Sequence, residues 1–180
     1  MKITKILNTE KVYSGYIFDL AHYTVELPNG KEAKREVIVH NGAAVIVPVT
    51  STGELVLVRQ YRPGSDKMML ELPAGKLDGP GEDPQNCALR ELQEETGYRA
   101  NKIRPLLKLH PLAAYCTEQI TMFLAEDLEP GASKPDEEEF VETELYSLPA
   151  LLAMIDNGEI SDMKTIMGIL YYARLRSQEL

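Results

Sequence analysis

The chain has 180 residues, enough for one domain with a single core plus a modest appendage. Hydrophobic residues make up 44% and charged residues 26%, a globular balance, and no apolar run approaches the roughly 20 residues that span a bilayer. A formal net charge of −9 argues against a non-specific nucleic-acid binder, which needs clustered Lys and Arg.

The N-terminal MKITKILNTEKVYSG lacks the apolar run and cleavage site of a secretory signal. Residues 1–40 then alternate polar and apolar side chains around a Pro-Asn-Gly turn at 28–30. This predicts two antiparallel strands, too few residues to bury a core alone. We therefore expect residues 1–41 to form an N-terminal β extension that packs on its own domain or on another subunit, and 42–180 to form the main domain.

AAVIVPV (43–49) reads as a strand buried on both faces, STGE as a turn, and LVLVRQYR as a strand ending in a basic tip. MMLELPAG is a short strand running into a Gly/Pro-rich loop. Asp83 as cap, Pro84 in the first turn and Gly97 as stop define the clearest helix. Residues 102–110 and 118–126 read as strands, and an acidic polar stretch leads into FVETELYSL. Ser147 and Pro149 open a second helix, and Ser161 or Asp162 a third. This order predicts an α+β fold, a mixed β-sheet packed between helices.

Within the first helix Glu91 and Glu95 stand one turn apart and Glu94 lies about 60° from Glu91, so three carboxylates share one arc. Ala88, Leu89, Leu92 and Thr96 are expected to pack on the sheet. Like charges at this spacing oppose helix formation unless a cation offsets them, and hard divalent cations favour oxygen ligands. Alone, the ELQEE run reads first as a solvated acidic face, common on surface helices. Cys87 and Cys116 match no zinc or disulfide spacing, which points to a reducing cytoplasm. His22, His40 and His110 form no metal-ligand set and read as structural.

The string from Gly75 to Tyr98 resembles the Nudix box. Glu82, seven residues, and then Arg90, Glu91, Leu92, Gln93, Glu94, Glu95, Thr96, Gly97 and Tyr98 fit without a gap. Six residues rather than five separate Gly75 from Glu82, an insertion within a turn that should absorb it. The resemblance implies Mg²⁺, with Mn²⁺ as a substitute. It implies metal ligation by Glu91, Glu94, Glu95 and the Ala74 carbonyl, and a buried Arg90–Glu82 pair holding the loop.

VRQYRP, LELPAG, DEEEFVE and NGEISDMKT extend the likeness over nearly the whole chain, to the ADP-ribose pyrophosphatase and nucleoside diphosphate sugar hydrolase branch. In that branch Arg62 would contact the diphosphate, with Arg59 as rival. An aromatic residue of the N-terminal strands, Phe18 or Tyr23, would stack on the base, with Arg35 nearby, often across a homodimer. The glutamate before the phenylalanine of the late acidic segment, Glu139, would activate water, with Glu137 in reserve. A Ser-Pro-Gly turn of many relatives is replaced here by Leu112, Ala113, Ala114 and Tyr115, which widens the expected substrate from ADP-ribose to nucleoside diphosphate sugars, GDP-mannose next. Dinucleoside polyphosphate or nucleoside triphosphate hydrolysis is the enzymatic alternative. A non-catalytic sensor would show broken box carboxylates, and here all three are present. A small nucleotide sugar is thus the expected partner, with no nucleic acid and no membrane.

Overall fold

The computed structural model describes residues 5–79, 81–133 and 140–178. Turn chemistry shapes the N-terminal part. Strands β1 (Lys5–Ser14), β2 (Asp19–Glu26) and β3 (Glu32–Val39) form an antiparallel meander in that order. The expected 28–30 turn closes β2 on β3, with Gly30 at φ 81° and the Asn29 side chain accepting from the Lys31 N–H at 3.1 Å. The additional strand, β1, is set by a turn in which the Gly15 N–H donates to the Phe18 carbonyl at 3.0 Å. Every residue of β1 is exposed, so burial imposes no inward-facing pattern on it.

The remaining strands are β4 (Ala43–Pro48), β5 (Leu55–Arg62), β6 (Lys67–Glu71), β7 (Ala74–Lys76), β8 (Tyr98–Leu109), β9 (Ile120–Pro130) and β10 (Glu142–Tyr146). They form a mixed sheet, β7-β4-β9-β8, with β4 parallel to β9, and an antiparallel sheet, β10-β5-β6. Three helices complete the α+β fold: α1 (Pro84–Thr96), α2 (Leu148–Asp156) and α3 (Met163–Gln178).

Strand alternation explains why β4 is uniformly apolar. Val45 and Val47 point into a core shared with Leu57, Leu72, Met122, Leu151 and Ile169, while Ala44 and Ile46 point into a second core with Cys87, Ala88 and Leu92 of α1. Each buried aliphatic side chain contributes about 1.5–3 kcal/mol, so β4 is the hinge between both cores. Between β6 and β7 the chain crosses from one sheet to the other at Leu72 and Pro73, whose carbonyl accepts from the Ile46 N–H at 2.9 Å. This seam brings Glu71, Ala74 and Gly75 beside α1 and the start of α3. Among the described residues no helix is long and apolar enough to cross a membrane.

Candidate active site

The caps of α1 are those its sequence demands. The Asp83 carboxylate accepts from the Gln85 N–H at 2.9 Å, and Gly97 adopts a left-handed φ of 75° that most side chains disfavour. The buried residues are Cys87, Ala88, Glu91, Leu92 and Glu95, which corrects the expected packing face. Leu89 and Thr96 are only half-buried, because the helix leans on β7 along Cys87, Glu91 and Glu95. The carboxylates therefore edge the buried face instead of opposing it.

Glycine makes that approach possible. A Cβ at position 75 would lie 1.8 Å from Glu91 Oε1. The neighbouring Ala74 N–H donates to Glu95 Oε2 at 3.1 Å. Glu91 is 9% exposed and Glu95 4%. Arg90 gathers the surrounding charge: its guanidinium lies 2.6 Å from Glu91, 3.1 Å from Glu94, 3.6 Å from Glu82 and 3.7 Å from Asp78. The Arg90–Glu82 contact is thus a half-buried ion pair, too long for a hydrogen bond, within a four-carboxylate cluster, while Glu82 Oε2 accepts from the Asp78 N–H at 2.6 Å and ties the loop. Burial raises the Cys87 thiol to about 12, so it stays protonated beneath this cluster.

A cleft of about 320 Å³ opens beside Ala74 and Gly75, lined also by Arg62, Lys164, Lys76, His40 and Glu118. Arg62 and Lys164 are joined through Glu71, which is 1% exposed. Arg62 grips it with two hydrogen bonds of 3.0 and 2.8 Å from its guanidinium. Asp162 caps α3, accepting from the Thr165 N–H at 2.9 Å and from Lys164 at 3.0 Å. Arg59, the rival of Arg62, lies on the other face of β5 and pairs with Glu144 of β10.

Three further candidates stand elsewhere. Tyr23 and Arg35 are cross-strand partners in the N-terminal sheet, and Phe18 sits in its β1–β2 turn, its ring 6.3 Å from that of Tyr13; none of the three lines the cleft. Glu137 and Glu139 lie outside the described residues. The chain pattern did not single out Glu71, Lys164, Lys76 or Glu118, and it assigned His40 a structural place although it lines the cleft.

The NUDIX domain family model matches residues 39–166. The chain belongs to the Nudix hydrolase family. An ADP-ribose pyrophosphatase of Bacillus subtilis (strain 168) is 40% identical over 93% of this chain and 91% of its own length. A GDP-mannose pyrophosphatase of Salmonella typhimurium is 35% identical over 95% and 96%. The crystal structure of an ADP compounds hydrolase superposes with a TM-score of 0.87 at 26% identity, over 99% of this chain and 97% of that one.

Nudix hydrolases use divalent metal, and the donor set here suits one. Glu91 and Glu95 are hard oxygen donors at the cradle that only a glycine at 75 leaves open. As they stand Glu91 and Glu94 turn to Arg90, and among the described residues no three acidic, His or Cys side chains are gathered to hold an ion.

The Glu71 bridge makes a testable contribution to stability. Burial alone would raise its carboxyl, but Arg62 and Lys164 outweigh burial and hold it below the usual range. A carboxyl held down in the folded state stabilises above its unfolded pKa of about 4, and this is lost as pH falls through the lower folded value. Glu71→Gln is expected to cost about 2–3 kcal/mol at pH 7, the lower end for a broken buried pair because Arg62 is partly solvated, and to flatten the acid-side loss. Urea unfolding at pH 7 and pH 3 measures both. A variant whose stability falls in parallel with wild type would refute the linkage.

Proposed function

We propose that this Nudix hydrolase cleaves the diphosphate bond of nucleoside diphosphate sugars, ADP-ribose first and GDP-mannose next, to a nucleoside monophosphate and a sugar phosphate. The observation that carries this reading is the juxtaposition of buried Glu91 and Glu95 with a cleft holding Arg62 and Lys164. The names of the relatives, pyrophosphatases of ADP-ribose and GDP-mannose, support it.

Glu91, Glu94, Glu95 and the Ala74 carbonyl would hold Mg²⁺, or Mn²⁺ in its place, which would supply positive charge against the diphosphate. The protein's own cations act beside it. Arg62, whose Nε and Nη2 hold Glu71, offers the Nη1 side of its guanidinium and Lys164 a point charge to phosphate oxygens, which positions the phosphorus in the cleft. Water then attacks that phosphorus, one new P–O bond forms, and the bridging oxygen departs on the other phosphate. Glu139 takes the proton of the attacking water, with Glu137 in reserve. Support for this comes from Thr143, four residues later in the chain, whose hydroxyl donates to the Glu95 carbonyl at 3.3 Å.

Phe18 or Tyr23, with Arg35, receives the base in a partner's cleft, and the enzyme acts as a homodimer in the reducing cytoplasm, where Cys87 and Cys116 stay free. The exposed Ile6, Val12, Tyr13, Tyr16 and Ile17 of the N-terminal sheet and its turn support an interface there. Light scattering at micromolar concentration is expected to give twice the monomer mass of 20.2 kDa. A fully active monomer would refute the dimer. The function itself is tested by product analysis on a panel of nucleotide sugars, dinucleoside polyphosphates and nucleoside triphosphates, with the sugars expected to turn over fastest.

A further inference from the structure

A carboxylate beneath a phosphate site opposes the anion that binds there unless cations stand between them. Glu71 is such a carboxylate. Its side chain is buried and does not line the cleft, yet Arg62 and Lys164, which it holds, both do. Arg62 Nε donates to Oε1 at 3.0 Å, while Arg62 Nη2, at 2.8 Å, and Lys164 Nζ both donate to Oε2. Sharing one oxygen makes neighbours of two cations that would otherwise repel. Three elements meet at this point: Arg62 ends β5, Glu71 ends β6 and Lys164 stands in the first turn of α3.

The fold is fastened here without Glu71. The Leu72 N–H donates to the buried Thr165 hydroxyl at 2.9 Å, and that hydroxyl donates to Asp162 at 2.6 Å. Gly168 of α3 packs so closely that a Cβ there would lie 2.4 Å from Leu72 Cδ1. An apolar side chain at 71 would avoid burying a charge, and buried ion pairs add little stability over such a replacement. Nor does Glu71 make the cleft more positive. The charges of Arg62 and Lys164 are cancelled by Glu71 and by Asp162, which also accepts from Lys164 at 3.0 Å.

What the carboxylate supplies is direction. The Arg62 side chain is 39% exposed, and a guanidinium on so flexible a stem samples many rotamers until two bonds to one carboxylate fix its plane. Nη1 takes part in neither bond, and Lys164 has a third hydrogen beyond those given to Glu71 and Asp162. Resting on the nucleotide-sugar reading, we infer that Glu71 is a positioning residue, which holds Arg62 and Lys164 in the free enzyme as the transition state of diphosphate cleavage requires them. Ordering both side chains before substrate arrives removes that entropy loss from the reaction.

Glu71→Gln leaves the cluster with one net positive charge, so a purely electrostatic role predicts equal or faster turnover of ADP-ribose. Positioning predicts the reverse, a kcat lowered at least about tenfold with KM unchanged or lower. In an Arg62→Ala background the same substitution should have a much smaller effect, because the group it acts through is gone. A wild-type kcat, a loss carried by KM alone, or an undiminished loss in the Arg62→Ala background would overturn the inference. Because Glu71→Gln breaks a buried pair and can unfold the chain, a measurement on the wild-type enzyme stands beside it. Nitrogen-15 relaxation of the Arg62 Nε–H, without metal or substrate, is expected to give an order parameter near that of rigid backbone, about 0.85. A value below about 0.6 that rises only when inorganic pyrophosphate is added would overturn the inference by itself. Each of these results, with ADP-ribose cleaved by wild type, leaves the diphosphatase reading intact. A wild-type enzyme that leaves ADP-ribose uncleaved overturns that reading and this inference together.

Discussion

Glu95→Gln is expected to lower kcat by about 10²–10³-fold, the equivalent of about 3–4 kcal/mol of transition-state stabilisation from a well-held cation. The fold should survive. Glu95 accepts from the Ala74 N–H at 3.1 Å, and the amide oxygen of a glutamine can accept the same bond at the same place. What is lost is the negative charge at a side chain only 4% exposed, where few solvent dipoles replace it. The melting temperature should therefore shift little while turnover collapses, and excess EDTA should abolish the wild-type rate. Normal activity in the variant, or full activity with EDTA, would contradict the assignment of the Nudix helix as the metal site.

Glu139→Gln is the second large effect. Under the proposed mechanism the box carboxylates serve the metal, and Glu91 and Glu94 also pair with Arg90, so the attacking water needs another proton acceptor. General-base catalysis usually contributes about 10²–10⁴-fold, so kcat should fall at least about 10²-fold with metal affinity little changed. Glu138→Gln should be nearly silent. Single-turnover kinetics with a metal titration separates the two effects. If the Glu139 variant keeps more than about half of the wild-type kcat, Glu137 or a box glutamate must take the role.

Local signals proved legible and long-range ones did not. The helix Pro84–Thr96 was readable because Asp83, Pro84 and Gly97 fix its ends through their own backbone preferences. Its buried face was misjudged, since apolar character pointed to Leu89 and Thr96, whereas the missing Cβ of Gly75 draws Glu91 inward. β1 escaped notice because a wholly exposed strand carries no inward pattern. The pairing of Glu71 with Lys164 joins residues 93 positions apart. Nothing in either local sequence announces it, although LELPAG and SDMKT both belong to the stretches that suggested the branch. His40 looked structural for the same reason: its place depends on Thr117, 77 positions away.

One measurement bears most directly on the central claim, that the buried Nudix carboxylates and the Arg62–Lys164 cleft hydrolyse a nucleoside diphosphate sugar. Purified enzyme with Mg²⁺ and ADP-ribose, resolved by chromatography and phosphorus NMR, is predicted to yield AMP and ribose 5-phosphate in equal amounts. Intact ADP-ribose and every other nucleotide sugar of the panel, beside rapid cleavage of a nucleoside triphosphate or dinucleoside polyphosphate, would contradict it.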